Sequence, residues 1–125
     1  MEDSTYFYRN VTFSKVAEKI YLIDIFNPDD DPEELEGWLG MVLLLADGQH
    51  TIAELVTYLA TRYTGSPPPN LKDTIESVVK RMSENKFIML TDIKTDLPYY
   101  LSLPYERLDI EKAKKMMTED RRDIN

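Results

Sequence analysis

The sequence contains no cysteine and a single histidine, His50. The lack of cysteine excludes disulfides, thiolate metal sites, iron–sulfur ligation and a cysteine nucleophile. One histidine provides no multi-histidine metal centre, and its position between two predicted helices favours a turn residue over a catalyst. We therefore expect neither a metal nor a cofactor.

Long apolar runs are also missing. The longest covers residues 41–46, whereas a membrane-spanning helix needs about 20 apolar residues. The chain begins Met1-Glu2-Asp3 and lacks the basic-then-apolar pattern of a secretory signal. We therefore expect a soluble, cytoplasmic protein without a membrane partner.

Basic side chains are scarce in the first half of the chain. Residues 1–64 contain 12 acidic and 4 basic residues, residues 65–125 contain 11 of each, and the net charge is −8. A field of this sign repels phosphate backbones, so we expect no nucleic-acid partner.

The 125 residues are 42% hydrophobic and 30% charged, which is typical of a globular chain. Residues 6–13 alternate in polarity, with Phe7, Arg9 and Phe13 on one face, and this pattern predicts a half-buried strand. Residues 19–26 form a second apolar run. Because a short polar link joins the two runs, we predict an antiparallel hairpin.

Three helices are predicted near residues 32–46, 52–64 and 71–85. The first begins with Asp31 as cap and Pro32 in the first turn. Thr51 and Glu54 have the spacing of a capping box at the start of the second. Asn70 is the predicted cap of the third, whose core stripe is Leu71, Ile75, Val78 and Met82.

The chain after the third helix is predicted to contain a short strand near residues 87–91 and then a tail. Within the tail, residues 99–103 alternate and lie between Pro98 and Pro104, which predicts that residues 97–103 form an extended segment that docks on this domain or on a second copy. Residues 109–119 have a weak helical stripe. We therefore predict a domain over residues 1–91 and an extension over residues 92–125, with a homodimer as one possible state.

The predicted order indicates an α+β protein of the winged helix-turn-helix class, in which an N-terminal hairpin covers three helices and a short strand follows. No phosphate-binding glycine loop, nucleophile elbow or helical zinc motif is present, so we expect no enzymatic activity. Residues 27, 29, 31 and 33 have the alternate spacing of a calcium loop. Two prolines and the missing glycine favour a solvated acidic turn instead.

Residues 6–90 resemble the PqqD family of small peptide-binding chaperones. The resemblance is best over residues 35–63, with Leu35-Glu36, an apolar helix that ends at Asp47-Gly48, Thr51 as helix cap, and Tyr63. The run at residues 19–26 resembles the second family strand, and Lys86-Phe87-Ile88 resembles the end of the last family helix.

The resemblance implies a non-enzymatic adaptor, a recognition element for ribosomally made and modified peptides. Such a domain takes a precursor's leader peptide as an added strand and presents it to a modifying enzyme, often of the radical S-adenosylmethionine type. The third family strand corresponds to residues 29–34, where acids and proline predict either a very short strand or an edge blunted by charge. The resemblance implies a peptide site at Asp31, Glu33, Glu34, Leu35, Lys72, Glu76 and Val79.

Two other functions are compatible with the predicted fold. One is a winged-helix DNA-binding regulator, which the excess of acidic residues opposes. The other is a structural interaction subunit.

Overall fold

The computed structural model describes residues 2–35 and 37–124. Within these residues the protein is of mixed α+β class, with two three-stranded antiparallel sheets and five helices, which confirms the predicted class. The chain divides into two compact units. The first consists of Met1–Asn10 and Met41–Asp96, and the second of Val11–Gly40 and Leu97–Asn125. The predicted division at residue 91 stays a prediction.

Four strands precede the first helix, and the other two strands each lie between two helices. The strands are β1 (Tyr6–Arg9), β2 (Phe13–Val16), β3 (Lys19–Leu22), β4 (Glu33–Leu35), β5 (Asp47–Thr51) and β6 (Ile88–Thr91). The helices are α1 (Trp38–Leu45), α2 (Ile52–Ala60), α3 (Leu71–Glu84), α4 (Tyr99–Ser102) and α5 (Ile110–Ile124), with a 3-10 turn at Tyr105–Arg107.

The sheet of the first unit has the order β5-β1-β6, with β1 in the centre. Arg9 pairs with Ile88 and Tyr6 with Thr91 across β1 and β6. The core of this unit is apolar and is drawn from the strands, α2 and α3. Its fully buried side chains include Phe7, Ile52, Leu55, Leu59, Ile75, Val79, Met82 and Ile88.

The predicted hairpin between residues 6–13 and 19–26 is wrong. β1 pairs with β5 and β6, and the hairpin is formed by β2 and β3. Its turn is short, because Val16 pairs directly with Lys19. Ala17 has a φ of 55°, the left-handed conformation that two-residue hairpin turns require.

The sheet of the second unit has the order β2-β3-β4. Its short third strand occupies the start of the predicted first helix, so that prediction is wrong over residues 32–35 and at residue 37, whereas residue 36 lies outside the described residues. Leu35 lies opposite Ile20, and both are buried, so burial of this apolar pair outweighs the local helix-start signal. Gly37, with a φ of 57°, turns the chain before α1 begins at Trp38.

The second and third helices are present, but α2 ends at Ala60 and not near residue 64, and the Asn70 side chain makes no cap hydrogen bond at the start of α3. The capping box of Thr51 and Glu54 is present in both directions. α3 ends at Glu84 with Asn85 as its C-cap, and Lys86 has a φ of 63° that reverses the chain toward β6. The buried stripe of α3 includes Val79 in place of the predicted Val78.

The C-terminal segment is ordered differently from its prediction. Tyr99–Ser102 is a single helical turn between two prolines, not the predicted extended strand. The predicted helix at residues 109–119 is present as the longer α5. The hydroxyl of Tyr99 accepts a hydrogen bond from the Asp109 N–H at 2.8 Å, and that of Tyr100 donates to Asp120 at 2.6 Å, so α4 is fastened to α5.

Candidate functional site

The seven residues of the predicted peptide site fall into two groups, one in each unit. The second unit contains those on or next to β4, and the first unit contains those on α3. The β4 group is Asp31, Glu33, Glu34 and Leu35, and the α3 group is Lys72, Glu76 and Val79.

β4 is an edge strand. Within the described residues it has a strand neighbour only on the side of β3. Leu35 is 7% exposed and faces the core, whereas Glu33 and Glu34 are exposed. A Cβ on Gly40 would lie 3.1 Å from the Leu35 carbonyl oxygen, so this glycine lets the start of α1 approach the end of β4.

The register shows which backbone groups of β4 point outward. The two-residue turn makes Val16 and Lys19 a hydrogen-bonded pair, and such pairs alternate along antiparallel ladders. Counting from that turn, the backbone N–H and C=O groups of Ile20 and Leu22 point from β3 toward β4. There these two residues pair with Leu35 and Glu33. The N–H and C=O of Glu34 therefore point away from β3, to the open edge.

The same alternation accounts for the opposite edge of this sheet. It directs the N–H of Lys15 away from β3, where it donates to the Glu106 carboxylate at 2.9 Å. The Ser14 hydroxyl donates to the other oxygen of that carboxylate at 2.5 Å. Glu106 thus occupies the β2 edge, a contact that sequence reasoning missed because the partners are about 90 residues apart.

The hydrogen bonds from these donors favour the negatively charged form of Glu106. Burial acts to raise the pKa of Glu106, but the hydrogen bonds from Ser14, the Lys15 N–H and its own N–H together lower it below the ordinary value. The carboxylate form is therefore the one that holds the β2 edge.

An acidic loop leads into β4. Asp29, Asp30 and Asp31 are exposed, as are Glu33 and Glu34. Asp31 has a φ of 38°, so the chain turns sharply just before Pro32. The exposed part of the edge strand and the turn that precedes it therefore form one acidic surface.

The α3 group is less available for binding. Lys72 is exposed, and its Nζ lies 3.1 Å from a carboxylate oxygen of Asp3. A hydrogen bond and charge attraction from Asp3 raise the pKa of Lys72. Glu76 is half-buried. Val79 is fully buried and belongs to the core stripe of α3, so its side chain is not at the surface.

The outer edge of β5 is covered by residues that follow β6. The Thr95 N–H donates to the Gly48 carbonyl at 2.9 Å, and the Gln49 side-chain amide donates to the Thr95 carbonyl and to Asp96. A Cβ on Gly48 would lie 1.9 Å from the Thr95 carbonyl oxygen. Gly48 has a φ of 78°, and its lack of a Cβ permits this close approach.

Arg9 is a buried cation in the first unit, on the same face of β1 as Phe7. Its Nη1 donates to the carbonyl oxygens of Leu43, Leu44 and Ala46 at 3.2–3.4 Å. Desolvation lowers the pKa of Arg9, and the Asp47 carboxylate opposes that effect. Arg9 therefore caps the last carbonyls of α1, where a cation is favoured by the helix dipole.

His50 also has a structural partner. Its Nδ1 lies 2.8 Å from the Asp47 carboxylate within β5. Among the described residues no group of three or more histidine or carboxylate side chains is arranged to hold a metal ion. His50 is a residue of β5 and not the turn residue that the sequence predicts, because Asp47–Thr51 pairs with β1.

Comparisons with family models, with curated proteins and with solved structures found no match. In the part of the chain that the structure describes, every helix is too short or too polar to cross a membrane.

Proposed function

We propose that this protein is a non-enzymatic adaptor that takes an extended peptide as an additional strand at β4 and presents it to a modifying enzyme. The open edge of β4 is the observation that carries the proposal. Peptide addition to a sheet edge obtains affinity from backbone hydrogen bonds and specificity from side chains at alternate positions.

The geometry of the sheet supports β4 over β2 as the receiving edge. Glu106 already accepts a hydrogen bond from the outward N–H of Lys15 on β2. The register of β4 leaves the corresponding groups of Glu34 directed to the open side. Every strand pair in both sheets is antiparallel, so an antiparallel peptide continues the existing ladder.

The first unit is proposed to be a winged helix whose central strand comes from the N-terminal part of the chain. The order β5, α2, α3 and β6, with β1 between the two outer strands, supports this interpretation. The proposal agrees with the PqqD resemblance, which implies the same class of fold.

The alternative of a DNA-binding regulator is less well supported. In helix-turn-helix proteins, a turn of three or four residues joins the two helices, whereas residues 61–70 separate α2 from α3 and include three prolines. The exposed face of α3 mixes Lys72, Lys80 and Arg81 with Asp73 and Glu84. A gel-shift experiment at low salt is expected to show no complex with duplex DNA.

The peptide-binding proposal is tested by hydrogen exchange at individual amides. Peptides are selected from a display library against the full chain, and exchange is measured with and without a selected peptide. We expect slower exchange at the Glu34 N–H, by about tenfold or more for a site that is mostly occupied. The Leu35 N–H, which faces β3, serves as the internal reference.

Two variants of one residue separate the backbone from the side chain. Glu34→Pro removes the outward N–H and is expected to abolish peptide binding. Glu34→Gln keeps that N–H and is expected to bind an uncharged peptide as the wild type does. Circular dichroism of both variants confirms that they fold. Selected peptides that leave exchange at Glu34 unchanged would contradict the proposal.

The presentation step needs a separate experiment. The full chain, loaded with a selected peptide, is immobilised and exposed to native extract, and the retained proteins are sequenced. We expect a peptide-modifying enzyme that is retained more strongly by the loaded chain than by the Glu34→Pro variant. Equal retention by both would contradict peptide presentation at β4.

A further inference from the structure

We infer that the β4 edge selects a segment with the order apolar–basic–basic, read from its amino to its carboxyl end. This inference rests on the proposed function, because it specifies the class of peptide that the same edge accepts. It follows from how few backbone bonds the edge provides, from the side chains of β4, and from the direction of pairing.

The backbone alone provides a short ladder. β4 has three residues, and alternation leaves only Glu34 among them with its N–H and C=O directed outward. Two residues earlier, the outward position belongs to Pro32, which has no N–H. Side chains must therefore supply much of the discrimination between one peptide and another.

The side chains that flank this ladder are carboxylates. Glu33 and Glu34 are exposed on β4, and Asp29, Asp30 and Asp31 are exposed in the preceding turn. Among the side chains that the structure describes, none of these five carboxylates forms an ion pair with a basic residue. An incoming cation would relieve their mutual repulsion, and opposite charges across neighbouring strands stabilise the pairing.

The pleat determines the order of residues in the peptide. Glu33 and Glu34 lie on opposite faces of the sheet, so each requires its own basic residue, and these must be consecutive in the peptide. Leu35 is buried and shares the core face with Glu33, so an apolar residue fits opposite it. An antiparallel peptide meets Leu35 first, then Glu34 and then Glu33, which gives the order apolar–basic–basic.

The test uses three synthetic decapeptides that are identical except at their centres, which are Leu-Lys-Arg, Leu-Gln-Gln and Leu-Glu-Asp. Their affinities for the full chain are measured by fluorescence anisotropy, and their positions by backbone NMR shifts. We expect the Leu-Lys-Arg peptide to bind about three- to tenfold more tightly than the Leu-Gln-Gln peptide. We also expect this preference to decrease as salt is raised.

Charge reversal of the edge provides the decisive comparison. The Glu33→Lys, Glu34→Lys variant is expected to prefer the Leu-Glu-Asp peptide. The matched control, Asp73→Lys with Glu84→Lys, changes the net charge equally at exposed positions of α3 and is expected to keep the preference for Leu-Lys-Arg.

Each outcome separates the two proposals. If all three peptides shift the signals of residues 33–35 with equal affinity, the inference on sequence order is overturned and peptide addition at β4 is retained. If the control reverses the preference as the β4 variant does, net charge alone is responsible and the inference is again overturned. If no peptide shifts residues 33–35, the proposed function itself fails.

Discussion

The Glu106 carboxylate and the backbone N–H of Lys15 are joined by a hydrogen bond of 2.9 Å, which closes the outer edge of β2. A side chain here performs the task that a further strand would perform in a larger sheet. Because an unpaired edge invites association with other chains, this contact leaves β4 as the open end of its sheet within the described residues.

Stability is expected to depend on pH through Glu106. Its folded pKa lies below the ordinary value of 4.5, so the contact is fully stabilising above that value and is lost as pH falls through the lower, folded pKa. We expect Glu106→Gln to unfold more easily at pH 7, by about 0.5–1.5 kcal/mol, the usual net value of a hydrogen bond.

Urea denaturation across a pH series measures this effect. The difference between wild type and Glu106→Gln should shrink as pH is lowered below 4.5 and through the lower, folded pKa of Glu106, because the wild-type carboxylate becomes protonated. Glu111→Gln, at an exposed position of α5, is the matched control and should show no such convergence. A difference that is constant with pH would contradict the assigned role.

Removal of the Arg9 side chain is expected to destabilise the first unit. Arg9→Met keeps much of the apolar stem but removes the guanidinium that donates to the carbonyls of Leu43, Leu44 and Ala46. The Leu43 and Ala46 carbonyls keep their backbone donors, the N–H groups of Ala46 and Arg9. A hydrogen bond to a charged group contributes about 1.5–3 kcal/mol to stability. We therefore expect chemical denaturation to show a loss of unfolding free energy in that range. Arg9→Lys should lose less, since it retains a cation near these carbonyls.

The Gly48 position tests a close backbone approach. Gly48 and Gly65 both have positive φ, so alanine is strained at either one. Only at Gly48 would the added Cβ meet another atom, the Thr95 carbonyl oxygen, whereas nothing lies within 4 Å at Gly65. We expect Gly48→Ala to cost about 1–3 kcal/mol more than Gly65→Ala, with faster hydrogen exchange at the Thr95 amide. Equal costs would show that the approach is not required.

Neighbouring valines test the orientation of α3. Val79 is fully buried and Val78 is only partly buried. Val79→Ala is expected to lower the free energy of unfolding by about 1.5–3 kcal/mol, and Val78→Ala by less than about 1 kcal/mol. If urea titration shows a larger loss for Val78→Ala than for Val79→Ala, the core face of α3 is the one that the sequence predicts.

Local signals in the sequence were sufficient to predict where α2 begins. Thr51 and Glu54 are three residues apart, so the capping box that starts the helix is contained in the sequence itself. The two valines of α3 show the limit of this reasoning. Val78 and Val79 follow Ile75 by three and four residues, and both spacings place a side chain on the same helical face.

The pairing of strands depended on residues far apart in the chain. The apolar pattern of β1 predicts a strand correctly but does not identify β5 and β6 as its partners. At β4 the acids and Pro32 favour a helix start locally, yet the pairing of Leu35 with Ile20 prevails. The carboxylates of the proposed site were evident from the sequence, whereas the outward direction of the Glu34 backbone depends on register.

The central position of β1 has a consequence for synthesis of the protein. β1 is made before either of its partners, β5 and β6, so the nascent strand keeps at least one unpaired edge until β6 has left the ribosome. The second unit likewise needs both Val11–Gly40 and Leu97–Asn125. Neither unit is encoded by one uninterrupted stretch, so the first unit is complete only after Met41–Asp96 has been made and the second only after Leu97–Asn125 has been made.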